Sequence, residues 1–600
     1  MKKTIAVIAA IAFILAFTTC TPKRISFSNG RFVINGQEVF MSGMNLAWIH
    51  FGRDITEFNE AKFVQALEEI AAKGGNCLRW WIHVNGSTSP LYDENKRVVT
   101  LPPGFTETLN HALDLAWERG IMVVLSLWSF DMLKRNTGVD LVANLKMLED
   151  PVYTKGYVNQ ALIPMIRKLK GHPAILCYEI FNEPEGMLPS GGWTDKRTSM
   201  QNLQRFINLC AGAIHRTDPD ALVTVGSGLA MTANVKGFSN YYANDKLIKA
   251  GGDQLGYLDF YEAHYYPEHE GESTSPFHNP ASYWKLDKPI LIGEFPAKGI
   301  REIGKGFQPK TSLTSEEAYL YAFEHGYAGA LAWTWTNHDG FGGVEEAGPG
   351  MQALLKKYPQ HIVIKTGLNR PPLVIKKIER LILDPAQGGA ERFANLKDYF
   401  LDMEDGPRLK FLVGKISQPE LLSASVDEEG YASIKLKPGQ SGTCKVEIIA
   451  EDTGGAKRSL ELLVFVYDPN KGNLALFKKA ISQSDEGDTT AITFINDGLD
   501  DTRWSSAWAD DQWMYIDLGA IYPVKKFILK WETAFGLAYE ILVSTDNKTW
   551  QTVFVEKNGD GKTDEITINP IKARYVKLHG TKRATEWGFS LWEFEVYGED

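Results

Sequence analysis

The stretch Ile175-Leu176-Cys177-Tyr178-Glu179-Ile180-Phe181-Asn182-Glu183-Pro184 decides the reading of this chain. It starts as a nearly continuous apolar run, the pattern of a parallel strand covered on both faces, and breaks off at an amide, an acid and a proline. Proline cannot continue strand hydrogen bonding, so the chain turns there and leaves the Glu183 carboxyl at the strand end. With its run taken as Ala174 to Phe181, seven more of the same kind flank it. They are Phe40 to Leu46, Asn76 to Ile82, Ile121 to Leu127, Ala221 to Ser227, Tyr257 to His264, Pro289 to Phe295 and Gly329 to Thr336. Amphipathic helical stretches separate them. Eight strand–helix units in about 300 residues predict a closed (β/α)8 TIM barrel, whose chemistry lies at the C-terminal ends of the strands. A doubly wound open sheet is the alternative, and no glycine-rich phosphate loop follows the first run to support it.

The strand ends are therefore the places to look. Pro289-Ile290-Leu291-Ile292-Gly293-Glu294-Phe295 brings a second glutamate to the mouth, remote in sequence from Glu183. Two carboxyls roughly 5 to 5.5 Å apart across a glycosidic bond give the retaining mechanism, one attacking the anomeric carbon and the other protonating the departing oxygen. Either glutamate alone also reads as a salt-bridged strand-end carboxylate. Trp48, His50, Trp80, Trp81, Trp128, Trp193, Tyr265 and Trp335 fall at or soon after strand ends and suit a cleft that holds pyranose rings by aromatic contact. Adjacent strand residues face opposite ways, so at most one of Trp80 and Trp81 lines such a cleft.

Asn182-Glu183-Pro184, His264-Tyr265-Tyr266 and Gly293-Glu294-Phe295 resemble the signatures of glycoside hydrolase family 5 and its clan A barrel, a likeness covering about residues 25 to 365. The resemblance implies Glu183 as acid/base, Glu294 as nucleophile and Asn182 as the amide on the sugar 2-hydroxyl. His264 and Tyr266 match groups framing the nucleophile, and Trp333 matches the tryptophan under the sugar. Arg79 matches an arginine that bonds the nucleophile and keeps it ionised, since a nearby cation lowers a carboxyl pKa. Isolated from the motif, Arg79 reads equally as a salt-bridge partner and Trp333 or Trp335 as core. At strand three the family commonly presents a histidine, and this chain has Leu125-Ser126-Leu127-Trp128-Ser129-Phe130. The reading at that point is that His83 supplies a replacement from the neighbouring strand, or that Trp128 is a stacking platform.

The chain has 600 residues, more than one core usually supports, with 44% hydrophobic and 23% charged residues, the composition of water-soluble domains. A formal charge of −10, with no Lys/Arg block, argues against a nucleic-acid partner. Residues 1–20, with Lys2 and Lys3 before the apolar run Thr4 to Phe17, have the layout of a secretory signal. Cys20 resembles the lipid-bearing cysteine of bacterial lipoprotein signals, although Phe17-Thr18-Thr19 departs from the usual pattern. The expected location is secreted, periplasmic or cell-surface, with a membrane contact only through a lipid on Cys20. Cys77, Cys177, Cys210 and Cys444 lack metal or redox spacing and read as core filler.

The barrel is expected over 25–368. Asn369-Arg370-Pro371-Pro372 marks a junction, after which short strands over 371–468 predict a small Ig-like β-sandwich spacer. Asp468 to Gly472 is a turn-rich break, and 472–600 is aromatic and strand-rich. That last stretch resembles the discoidin, or F5/8 type C, β-sandwich (jelly roll) and, within it, carbohydrate-binding module family 32. The likeness rests on Asn496-Asp497-Gly498, Thr502-Arg503-Trp504-Ser505-Ser506, Trp513 to Gly519, Ile541 to Ser544, Arg574-Tyr575-Val576-Lys577-Leu578 and Trp592 to Gly598. It implies a second glycan partner and a structural calcium, for which Asp497, Asp500, Thr502 and Glu593 offer oxygen ligands. Trp508, Phe535 and Trp587 are its candidate sugar-stacking side chains. No cofactor is expected for catalysis. The functional expectation is an endo-acting retaining β-glycanase, with β-1,4-mannan as first substrate and β-glucan second. The reading from another class is a non-catalytic surface glycan-binding protein.

Overall fold

The computed structural model describes residues 24–235, 237–269, 271–301, 312–467 and 472–598. The leader read in residues 1–20, with Cys20, and most of the break at Asp468 to Gly472 lie outside the described residues.

Eight parallel strands close into a barrel: β1 (Met41–Leu46), β2 (Cys77–Val84), β3 (Met122–Ser129), β4 (Ile175–Asn182), β5 (Val223–Gly228), β6 (Tyr261–His264), β7 (Ile290–Glu294) and β8 (Gly329–Ala332). Every residue of β1 to β4 is buried, as a parallel strand between a packed interior and a helical layer demands. The helices supply the outer layer. In Glu60–Ala72, Asn59 caps the first turn by accepting from the Lys62 amide, and Phe63, Ala66, Leu67, Ile70 and Ala71 form one buried stripe. Against that stripe lies Trp80, with its ring 4.6 Å from Phe63, while Trp81 turns to the opposite face. Two expected strands are shorter than read. The sixth begins only at Tyr261. The eighth ends at Ala332, where the Asn45 carbonyl takes the Thr334 hydroxyl and the Trp335 amide and turns the chain.

A feature absent from the sequence reading is an antiparallel sheet of Ile25–Ser28, Arg31–Ile34 and Gln37–Val39. Its two turns are Asn29-Gly30 and Asn35-Gly36, each with both residues at positive φ, the tight hairpin geometry that Asn-Gly favours. Phe32 meets Phe260 at 5.2 Å and packs with Met41, Cys77, Met122, Leu176, Leu222 and Leu291, which closes the N-terminal end of the barrel.

Contacts divide the chain into two compact units. The first runs to Lys377 and takes in Lys397–Phe411 and Ala450–Ser459; the second holds Ile378–Leu396, Leu412–Ile449 and Leu460 onward. The two short segments join the first unit through ion pairs, Arg370 to Glu404 and Arg458 to Glu68. Seven strands of the spacer region, lying chiefly in the second unit, are β9 (Leu381–Leu383), β10 (Gly389–Asn395), β11 (Lys410–Ile416), β12 (Leu422–Val426), β13 (Tyr431–Leu436), β14 (Gly442–Glu451) and β15 (Lys457–Val466). They form two sheets, β9-β15-β14-β11 and β10-β13-β12, the layout of a small sandwich.

The C-terminal module contains β16 (Lys479–Ser482), β17 (Trp504–Ser505), β18 (Gln512–Trp531), β19 (Gly536–Ser544), β20 (Gln551–Glu556), β21 (Thr563–Arg583) and β22 (Ser590–Gly598). The order is β17-β22-β18-β21-β19-β20, with β16 on β18. Strands β18 and β21 are 20 and 21 residues long and lose register between Asp517 and Tyr522, a bulge that lets one strand serve both layers. Cys77, Cys177, Cys210 and Cys444 are free and buried, as core filler should be.

Candidate active site

Arg79 on β2 is fully buried and organises the C-terminal end of the barrel. Its Nε and Nη2 form a fork on Glu179 of β4, both bonds 2.6 Å, and Nη2 also donates to Asn182 Oδ1 at 2.7 Å. Nη1 donates to Glu294 Oε1 of β7 at 2.7 Å and to Asn45 Oδ1 of β1 at 2.8 Å. Glu262 of β6 lies 3.2 Å from Nε, and Ser126 of β3 donates to Glu179. Burial alone disfavours a charged guanidinium. Here Glu179, Glu294 and Glu262 outweigh burial and hold Arg79 well above its ordinary range. Gly226 and Gly293 leave room for this cluster: a Cβ on Gly293 would stand 1.9 Å from Glu262 Oε1.

Glu183 follows β4 with φ 46°, and its side chain is 18% exposed against 5% for Glu294. His264 of β6 stands between them, Nδ1 3.0 Å from Glu183 Oε1 and 3.5 Å from Glu294 Oε1. Tyr266 donates to Glu294 Oε2 at 2.7 Å. Carboxylate oxygens of Glu183 and Glu294 and a His264 nitrogen all lie within 4.8 Å of one another. Burial disfavours a charged His264, but Glu294 and the bonds to Glu183 and Glu262 outweigh it and raise the imidazole well above its usual value.

Arg79 bonds Glu294 and pulls its carboxyl down, as expected, but its pull is not the largest one on that group. Burial pushes the Glu294 carboxyl up, His264, Arg79 and the Tyr266 bond pull it down, and burial prevails. Glu179 is likewise pushed up to about 7 by burial, against the pull of Arg79.

The mouth is a cleft of about 960 Å³ lined by Glu183, Glu294, Asn182, Tyr266 and aromatic rings. Trp48, Trp81 and Trp333 pack together beside Glu294, with ring centroids 5.2 to 5.8 Å apart. Trp333 Nε1 is fixed by Asp339. Near Glu183, Trp193 is 48% exposed and meets Phe130 edge-on at 5.3 Å. Gly186 underlies it, where a Cβ would stand 2.4 Å from the indole.

Six expected cleft residues do not line it, among them His50, whose amide bonds Asp54. Trp128 is buried, 5.0 Å from His83 and 5.5 Å from Tyr157, so it is no stacking platform. The strand register shifts between Trp81 and Val84, and the Trp128 ring faces the helix layer. His83 is buried and bonded to Ser89, and burial lowers its pKa to about 3, so it does not replace the strand-three histidine at the mouth. Trp80 binds Asp54, Trp335 binds Glu69 of the outer helix, and Tyr265 is buried against Phe277. Sequence reading missed Glu179 and Glu262, acids inside apolar strands, and Asn45.

In the C-terminal module, Trp508 and Trp587 are 56% and 48% exposed and meet edge-to-face at 4.8 Å. Phe535 is half-buried on the module core, with Gly561 against its ring. Of the four expected calcium ligands three converge. Glu593 Oε1 accepts from the amides of Gly498 and Leu499, Thr502 donates to Asp497, and Glu593 Oε2 is buried with no partner. Burial, with Asp497 beside it, pushes the Glu593 carboxyl up to about 9. Asp500 departs from the expectation: its carboxylate is 81% exposed and paired with Lys530 at 3.0 Å.

A (β/α)8 barrel that converges two carboxyls inside an aromatic cleft at its C-terminal face defines a glycoside hydrolase. The chain belongs to the cellulase family, glycosyl hydrolase family 5, whose model matches residues 33–339. An F5/8 type C domain matches residues 478–594. The chain is 33% identical over 357 residues to a mannan endo-1,4-beta-mannosidase of Mytilus edulis, covering 55% of this chain and 92% of that protein. Another from Cryptopygus antarcticus is 34% identical over 333 residues, 51% and 83% of the two chains. Among solved structures, the endo-1,4-beta-mannanase of Eisenia fetida superposes with a TM-score of 0.51 at 31% identity, covering 57% of this chain and 98% of that one.

Proposed function

We propose that the chain is a retaining endo-β-1,4-mannanase with Glu294 as nucleophile and Glu183 as acid/base. The observation that carries this is the approach of their carboxylate oxygens to within 4.8 Å across an aromatic cleft, the spacing of retaining rather than inverting enzymes. A Glu294 oxygen attacks the anomeric carbon while the glycosidic C–O bond breaks, and Glu183 delivers its proton to the departing oxygen. Glu183, now a carboxylate, then takes a proton from water, whose oxygen attacks the same carbon and expels Glu294. Arg79, His264 and Tyr266 hold charge and orientation around Glu294 through both steps. Asn182 lies at the cleft wall beside Glu183, where a sugar 2-hydroxyl would be held, and Trp333 forms the floor beneath the ring. Mannan is preferred over β-glucan because relatives spanning most of this barrel are mannanases.

The C-terminal module adds glycan binding through Trp508 and Trp587, and a calcium would be held there by Asp497, Thr502 and Glu593, the buried unpartnered oxygen of Glu593 supporting the fit. The test is reducing-end release by purified protein from mannan and β-glucan, with Glu294→Ala alongside. Release from mannan, loss of at least about 10³-fold in the variant and retention of anomeric configuration are expected. Release from β-glucan alone overturns the substrate, and no release from either favours a binding protein.

A further inference from the structure

Two residues beyond Glu183 stands an acid that this chemistry does not use. Glu185 lies in the single turn Pro184–Met187, and its Oε1 accepts from the Ser227 hydroxyl and the Gly228 amide at the end of β5, both at 2.8 Å. Its Oε2 is buried with no hydrogen-bond partner. Glu183 holds a left-handed backbone, φ 46°, which a side chain of its size keeps only under constraint from its surroundings. The constraint is visible on both sides. The Glu183 amide donates to the Gly226 carbonyl at 2.8 Å, and two residues on the Glu185 carboxyl ties the same turn to Ser227 and Gly228. Burial, then the charge of Glu183, pushes the Glu185 carboxyl up to about 7, so in weakly acidic solution it clasps the turn without setting a second anion beside the acid.

We infer that Glu185 is the positioning residue of the acid/base: its bonds to Ser227 and Gly228 fix the Pro184–Met187 turn so that the Glu183 carboxyl meets the departing oxygen. The inference rests on the reading of Glu183 as acid/base. It separates Glu185 from a merely structural residue, because a displaced acid lowers kcat/KM, which reports the steps up to departure of the leaving group, only for substrates whose leaving group needs a proton.

The experiment compares kcat/KM of the full chain on mannohexaose, whose sugar leaving group needs protonation, and on 2,4-dinitrophenyl β-mannobioside, whose phenolate departs unaided. Glu185→Ala is expected to lose about 10²-fold on the oligosaccharide and less than about threefold on the aryl glycoside, the cost of an acid misplaced by roughly 1 Å. Retained aryl-glycoside turnover reports an intact fold. Glu185→Gln keeps the Oε1 acceptor and should recover most of the loss. Equal losses on both substrates, no loss on either, or a glutamine variant no better than alanine overturns the inference. Glu183→Ala is run in parallel. If its losses also ignore the leaving group, the acid/base reading itself falls; if they follow the leaving group and those of Glu185→Ala do not, only the role of Glu185 falls.

Discussion

All five N–H groups of Arg79 are matched, two on Glu179 and one each on Asn45, Asn182 and Glu294. A lysine carries the same charge but only three donors on a point ammonium, so it cannot reproduce this fork. Arg79→Lys should therefore cost about 3–5 kcal/mol in unfolding of the barrel, since one ammonium cannot serve Glu179, Glu262 and Glu294 together and leaves a buried acid without its partner. Denaturant melts followed by tryptophan fluorescence measure this, and a loss under about 1 kcal/mol would contradict it. Tyr266 makes a prediction of known sign. Its hydroxyl stabilises the Glu294 carboxylate, so Tyr266→Phe raises the Glu294 pKa further. Glu294 must be ionised to attack, so the acid limb of kcat/KM moves to higher pH, by about one unit for one charge-assisted bond. A shift to lower pH would refute the assignment.

Among the elements, eight strands and two terminal glutamates stand out in the sequence, because a strand covered on both faces stays apolar until it opens to solvent. Glu183 and Glu294 were legible for that reason, as was the rule, from the two-residue period, that at most one of Trp80 and Trp81 lines the cleft; which of the two does so was not. Trp128 was not, since a register shift near a strand end reverses the face that the period assigns. Glu179 and Glu262 carried a usable signal: an acid inside an apolar strand requires a cation, and Arg79, inside the apolar β2, is one that can reach them across the barrel interior. Asn29-Gly30 and Asn35-Gly36 likewise announced the N-terminal hairpins. The C-terminal ligand set shows what spacing omits. Asp500 has the right position in sequence, yet Lys530 draws its carboxylate outward. Adding calcium should thus raise the melting temperature of the module, Asp497→Ala should abolish that rise, and Asp500→Ala should leave it; scanning calorimetry with and without chelator distinguishes them.

For the whole molecule, the proposed function divides the work between a barrel with its own cleft, which cleaves, and a module with its own aromatic corner, which retains substrate. Replacing both Trp508 and Trp587 by alanine should weaken pull-down by insoluble mannan by about tenfold, the contribution of two aromatic contacts. The loss of hydrolysis should follow on that solid and shrink on dissolved oligosaccharide, because a tether acts by local concentration. Equal loss on both forms would place these tryptophans outside any tethering role. The four sealed thiols have a practical corollary. Among the described residues every cysteine is buried, so a cysteine introduced at a surface position such as Val152 would be the sole exposed described thiol for maleimide dyes, and an emitter there could follow the enzyme's residence on a fibre without disturbing its interior.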